Sequence, residues 1–103
     1  MPDNPLDSMH HVAVSVDDIA AAVAWYTSRF SCSVSYQDDS WAMLDFANVQ
    51  LALVSAGQHP AHIAFEHPSP GDFGEPVTHR DGTSSVYVTD SAGNAIELVQ
   101  RTK

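Results

Sequence analysis

The sequence predicts an α+β protein made of two consecutive, related modules, the first of order β-α-β-β-β and the second with its helix shortened or missing. Three observations predict it. Strands with alternating apolar residues surround one amphipathic helical stripe. Two short motifs recur in the same order, "HVAV" at 11–14 with "HIAF" at 62–65, and "LALV" at 51–54 with "IELV" at 96–99. Finally, "PSPGDFGEP" at 68–76 places three prolines and two glycines where a second helix would run. These observations give a single domain over 1–103, with a first module at about 9–56, a second at about 60–101 and a loose lead-in at 1–8.

In chain order, "HHVAVSV" (10–16) alternates, with Val12, Val14 and Val16 on one face and His11, Ala13 and Ser15 on the other. Asp17 and Asp18 are N-cap candidates, and Ile19, Val23, Tyr26 and Phe30 then recur at helical spacing, with Arg29 suited to the negative end of the helix. Three β-like runs follow: "SCSVSYQ" (31–37), "WAMLDFA" (41–47) and "VQLALVS" (49–55). The second module opens with "AHIAFEH" (61–67) and closes with "SSVYVTD" (84–90), the turn "SAGN" and "AIELVQR" (95–101). His11 and Ala52 are 41 residues apart and His62 and Glu97 are 35 apart; the shortening falls where the second helix is absent. Two copies of a sheet-forming unit pair most simply about a pseudo-two-fold axis.

Composition narrows the function classes. Hydrophobic residues at 44% and aromatic residues at 9% belong to a folded globular chain, and no stretch approaches a membrane span. The N-terminus "MPDNPLD" has no secretory pattern, which predicts a cytoplasmic protein. Cys32 is the single cysteine, so neither an intrachain disulfide nor a CxxC-type zinc site is available. Four basic against thirteen acidic residues give a formal charge of −9, which argues against nucleic acid and anionic membranes as partners. The acidity reads first as a source of solubility.

Parity splits each key strand into two faces. Ile63 and Phe65 oppose His62, Ala64 and Glu66; Ile96 and Leu98 oppose Ala95, Glu97 and Val99; Val86 and Val88 oppose Ser85, Tyr87 and Thr89. The bulky apolar faces are expected under the helix. The faces of small and polar residues suit a concave ligand pocket. If the sheet curls so that His11, His62 and Glu97 converge, two imidazoles and a carboxylate surround a point suited to Fe, Mn, Co, Ni or Zn. The competing interpretation is that strand histidines are simply hydrogen-bonded and the glutamate solvated.

The sequence resembles the vicinal oxygen chelate superfamily, which includes glyoxalase I, type I extradiol dioxygenases, methylmalonyl-CoA epimerase and bleomycin-resistance proteins. The resemblance rests on "HHVAVSVDDIAAAVAWY", on "HIAF" and above all on the closing hairpin "SSVYVTDSAGNAIELVQ", and covers about residues 9–101. It implies paired modules whose strands form a U-shaped, eight-stranded mixed sheet around a divalent metal held by His11, His62 and Glu97. A fourth ligand position used in glyoxalase I falls at Ala52, which cannot coordinate, so the resemblance implies a three-ligand site. Gln50 lies on the same face and is near enough to reach inward.

Tyr87 is a candidate hydrogen-bond donor to substrate, with aromatic packing as its other role, and Glu66 is a candidate acid or base. His10, of opposite parity to His11, is expected to face the core. His59 and His79 are expected in loops, and His67 to point away from His62. The missing helix leaves one sheet face uncovered, for which a homodimer partner is the simplest cover. The expected function is a small metal-dependent isomerase, lyase, epimerase or dioxygenase that chelates adjacent oxygens of a small organic substrate and stabilises an enolate or comparable oxyanion. The alternative is a metal-free dimeric protein that sequesters a cationic ligand, as the bleomycin-resistance branch does. A structural or regulatory module without chemistry is a third possibility.

Overall fold

In a computed structural model of the protein, residues 6–57, 60–78 and 84–100 are described. Strand β1 (Met9–Val16) leads into helix α1 (Ile19–Arg29), followed by β2 (Ser33–Gln37), β3 (Trp41–Asp45) and β4 (Gln50–Ser55). The second half supplies β5 (His62–His67), a single 3-10 turn at Pro70–Asp72, β6 (Val77–Thr78), β7 (Ser84–Thr89) and β8 (Ala95–Gln100). All eight strands join one mixed sheet in the order β2-β3-β4-β1-β5-β8-β7-β6. The sequence marks seven of them. The eighth, β6, is two residues long and too short to show alternation.

The duplication is visible in the register. Parallel pairing sets His11 opposite Gln50 and Ala13 opposite Ala52 in the first module, and His62 opposite Ala95 and Ala64 opposite Glu97 in the second. Where the modules meet, β1 and β5 run antiparallel, with His11 opposite Ala64, Val12 opposite Ile63 and Ala13 opposite His62. The two halves are thus related by a pseudo-two-fold axis at the Val12–Ile63 pair, and the two histidines stand symmetrically about it.

Helix α1 starts where Asp18 caps it, its Oδ1 accepting the Ala21 N–H at 3.0 Å. Ile19 and Val23 are buried against Ala42, Leu44 and Leu53, with Val14, Val16, Leu51 and Tyr26 packed around them. This is the apolar side of the first module, as the alternation predicts. Phe30 departs from the expected stripe: its backbone is extended, its N–H closes the helix on the Tyr26 carbonyl, and its ring is 49% exposed. Arg29 lies over the Trp25 ring, 4.4 Å from its centroid, on the outer surface of α1.

Among its described residues the second module has no α-helix to match. The 68–76 segment instead lays buried Pro70 near β7 and β8, with Gly74 against Val86, while Phe73 meets the His67 ring. The cover is partial, and Met9, Ile63 and Phe73 stay exposed on that side. Among the described residues, no helix is long and apolar enough to cross a membrane.

Candidate metal centre

The opposite face of the sheet is concave and built as parity predicts. In the first module it is lined by Ala13, Ala52 and Val54, all buried, with Trp41 and Met43 packed on them. Toward the second module the same face carries His11, His62 and Glu97, at 7%, 8% and 5% exposure. Such burial of three polar side chains requires mutual satisfaction, and the geometry supplies it.

The His11 and His62 Nε2 atoms lie 3.2 Å apart, and Glu97 Oε1 lies 3.1 Å from the first and 3.0 Å from the second. The outer atoms are anchored separately. His62 Nδ1 donates to the Pro60 carbonyl at 2.9 Å, and Ser85 Oγ donates to Glu97 Oε2 at 2.7 Å. With its Nδ1 proton so engaged, a neutral His62 presents a bare Nε2 to the centre. Three atoms with lone pairs then face one another, an arrangement that needs shared protons or a cation at its middle.

The donor set fits a divalent metal. Bonds of about 2.1 Å at right angles separate neighbouring ligand atoms by about 3.0 Å, close to the spacing seen here. Two imidazoles and one carboxylate on one side leave further positions open, the pattern of a catalytic rather than a structural site. Among the described residues, His11, His62 and Glu97 form the one group of three or more ligand-type side chains close enough to share an ion.

The same contacts shift the titrations. Burial alone would raise the Glu97 carboxyl, but hydrogen bonds from His11, His62 and Ser85 outweigh it and hold the group well below the usual carboxylate range. Burial works against a charged His62 ring, yet the Glu97 hydrogen bond and the Pro60 carbonyl bring its pKa above the ordinary 6.5. When no metal is present the centre therefore favours a charged His62 paired with an ionised Glu97.

Of the other predicted site residues, Tyr87 reaches the centre. It stands across the strand pair from Glu97, and its ring meets His62 edge-on at 5.8 Å between centroids. Burial, and then the Glu97 charge, push its phenol well above the usual range, so it keeps its proton. Glu66 shares the face but lies opposite Val99, one inward position (about 7 Å) beyond the Ala64–Glu97 pair, at the rim rather than in the cluster. Gln50 is turned aside, its Nε2 donating to Asp45 Oδ1 at 2.6 Å. Ala52 occupies the position related to Glu97 by the pseudo-two-fold and leaves that corner apolar.

His10 corrects the parity argument. The register slips between Met9 and His11, so β1 has two residues where β5 advances by one, and Met9 falls opposite Phe65. Beside this bulge, His10 Nδ1 lies 2.7 Å from His11 Nδ1, and the ring is partly buried next to the centre instead of belonging to the core. His67 accepts from the Ser69 N–H and contacts Phe73, away from His62 as expected. His59 and His79 lie outside the described residues. Ser85 is the functional residue that sequence reasoning missed. Its parity put it on the pocket face, but a serine in a strand gives no sign of the carboxylate it will meet.

No family model matches this chain, and no curated protein does. Solved structures do. A methylmalonyl-CoA epimerase from Mycobacterium tuberculosis superposes with a TM-score of 0.76 at 15% identity, covering 100% of this chain and 94% of that one. The enzyme of the same name from Streptomyces coelicolor gives 0.74 at 18% identity, over 96% and 100% of the two chains. A glyoxalase/bleomycin resistance protein/dioxygenase superfamily member from Vibrio splendidus 12B01 gives 0.67 at 11% identity, over 93% and 100%. At such identities the likeness is one of architecture, and it joins the duplicated register and the curled eight-stranded sheet in one conclusion: this chain has the vicinal oxygen chelate fold.

Proposed function

We propose that the protein is a small metal-dependent enzyme that binds adjacent oxygens of a small organic substrate at a divalent ion held by His11, His62 and Glu97. The observation that carries this reading is the convergence of three buried donor atoms within 3.0–3.2 Å of one another, each with a separate outer contact. A divalent ion in that position, whether Fe, Mn, Co, Ni or Zn, supplies Lewis acidity toward the substrate oxygens. The chain's own residues do the rest. Glu97, pinned by Ser85, keeps a single oxygen aimed inward; Tyr87 offers a hydrogen bond to developing oxyanion charge; Glu66 is positioned at the rim to exchange a proton with a bound molecule. An isomerase, lyase, epimerase or dioxygenase reaction is compatible with this set.

The charge pattern narrows the substrate. Among the described residues Arg29 is the single Lys or Arg, and it lies on the outside of α1 over Trp25. With a net charge of −9 and no described cation on the concave face, an uncharged or cationic substrate suits this pocket better than the acyl-CoA named for the epimerases. We further assign the protein to the cytoplasm and to a homodimer, the partner covering the face that the missing helix leaves open.

The acidity also supports a second reading, a metal-free protein that sequesters a cationic ligand. Calorimetry with cationic glycopeptides in excess chelator separates the two, since binding that persists without metal favours sequestration. The main test is elemental analysis of protein purified without added metal, for wild type and His62→Ala. Wild type is expected to carry or take up about one divalent ion per chain and the variant far less. If neither holds metal as isolated and neither binds any on titration, the enzyme reading fails.

A further inference from the structure

The three donor residues are anchored by three chemically different partners. His62 has a backbone carbonyl, Glu97 a serine hydroxyl, and His11 a second imidazole. A carbonyl can only accept and a hydroxyl facing a carboxylate donates, so those two contacts have a fixed sense. The third does not: an imidazole nitrogen can donate or accept, and each choice leaves His11 with a different inner face.

His11 can offer a lone pair at Nε2 only if its ring proton resides on Nδ1. That proton points at His10 Nδ1, 2.7 Å away, which must then be bare, with the proton of a neutral His10 ring on its Nε2. We infer that His10 is a positioning residue, an acceptor that keeps the His11 ring proton on Nδ1, so that the Nε2 that faces Glu97 is the nitrogen that opens to a divalent cation. The inference rests on the metal-site reading above.

The backbone supports the assignment independently. In an unbroken strand, residues 10 and 11 would project to opposite faces, and their ring nitrogens would not meet. They meet because the register slips between Met9 and His11, which turns the His10 side chain toward the edge of the concave face. Bulges of this kind cost ladder hydrogen bonds and are retained where they re-aim a side chain next to a site. On the symmetry-related strand β5, His62 takes its outer acceptor from the Pro60 carbonyl instead. The two related modules thus place an acceptor behind the ligand nitrogen by different means.

The test compares wild type, His10→Phe and His10→Asn. Phenylalanine keeps a planar ring of similar size and removes the acceptor; the asparagine Oδ1 is attached to Cγ, as His10 Nδ1 is, and restores one. Zinc binding is measured by competition with a chromophoric chelator, and the His11 tautomer by long-range proton–nitrogen correlation in the zinc-loaded protein. The expected result is a 10- to 100-fold weaker zinc affinity in His10→Phe, recovery to within a few-fold in His10→Asn, and an Nδ1–H His11 in wild type. Equal affinity of His10→Phe and wild type, equal weakness of His10→Asn and His10→Phe, or an Nε2–H His11 overturns the inference while leaving the metal site standing. If wild type binds no zinc, the metal-site reading itself is overturned and this inference with it. Loss of thermal stability shared by both variants without the split in affinity identifies a packing role and counts against the proposal.

Discussion

Glu97 concentrates most of what is unusual at the residue scale, because its two oxygens meet different partners. Oε1 faces both imidazoles, while Oε2 accepts from Ser85, itself 1% exposed and among the most deeply buried side chains in the protein. Ser85→Ala removes the hydroxyl that donates to Oε2 at 2.7 Å, which should cost about 1–3 kcal/mol of stability. The same change frees the carboxylate to rotate, and metal affinity should fall about 10- to 100-fold. Urea denaturation and chelator competition on one preparation check both, and unchanged metal affinity would show that Ser85 merely fills space. His11, His62 and Glu97 were legible in the sequence because parity places each on the small-residue face of its strand. Ser85 and His10 were not, since a hydrogen-bond partner from another strand and a one-residue bulge leave no mark in composition or period.

Among the elements, α1 was the most legible, with its cap at Asp18 and its buried Ile19 and Val23. Only its last position was misjudged: Phe30 follows the spacing but lies past the point where the backbone turns extended. The three prolines and two glycines of 68–76 correctly forbid a second helix, and a single 3-10 turn stands there. Met9, Ile63 and Phe73 remain 46%, 37% and 49% exposed. Sedimentation equilibrium at micromolar protein is expected to give twice the chain mass, and a charge placed by Ile63→Asp should shift the mass toward the monomer. A monomeric mass for wild type rejects the dimer. β6 escaped notice because two residues carry no periodicity.

For the whole molecule, the centre predicts how stability responds to pH. His62, held above its ordinary 6.5 when no metal is bound, contributes stability that is present below that value and lost as pH rises through the raised one. Glu97, held below its ordinary 4.5, contributes stability that is present above 4.5 and lost as pH falls through the depressed one. The two contributions coexist between 4.5 and 6.5, so in excess chelator the Tm should fall from about pH 6 to about pH 8. Added zinc should reverse that slope, because His62 must release its inner proton to bind. Calorimetric scans with and without metal decide the matter, and a metal-free Tm that climbs with pH contradicts the pairing. The duplication, the feature of largest scale, was readable from two four-residue matches, because the repeated positions are those whose register the paired strands share.

The pseudo-two-fold axis between Val12 and Ile63 has a last consequence. The histidines obey that symmetry and the acid does not, since Glu97 has Ala52 as its counterpart. A cleft with full two-fold symmetry would receive an unsymmetrical guest equally well in either of two orientations. With a carboxylate on one flank and a methyl group on the other, this cleft distinguishes the two ends of whatever it holds. Alanine at the fourth corner thus gives the cleft a polarity, since a bound molecule meets a carboxylate at one end only.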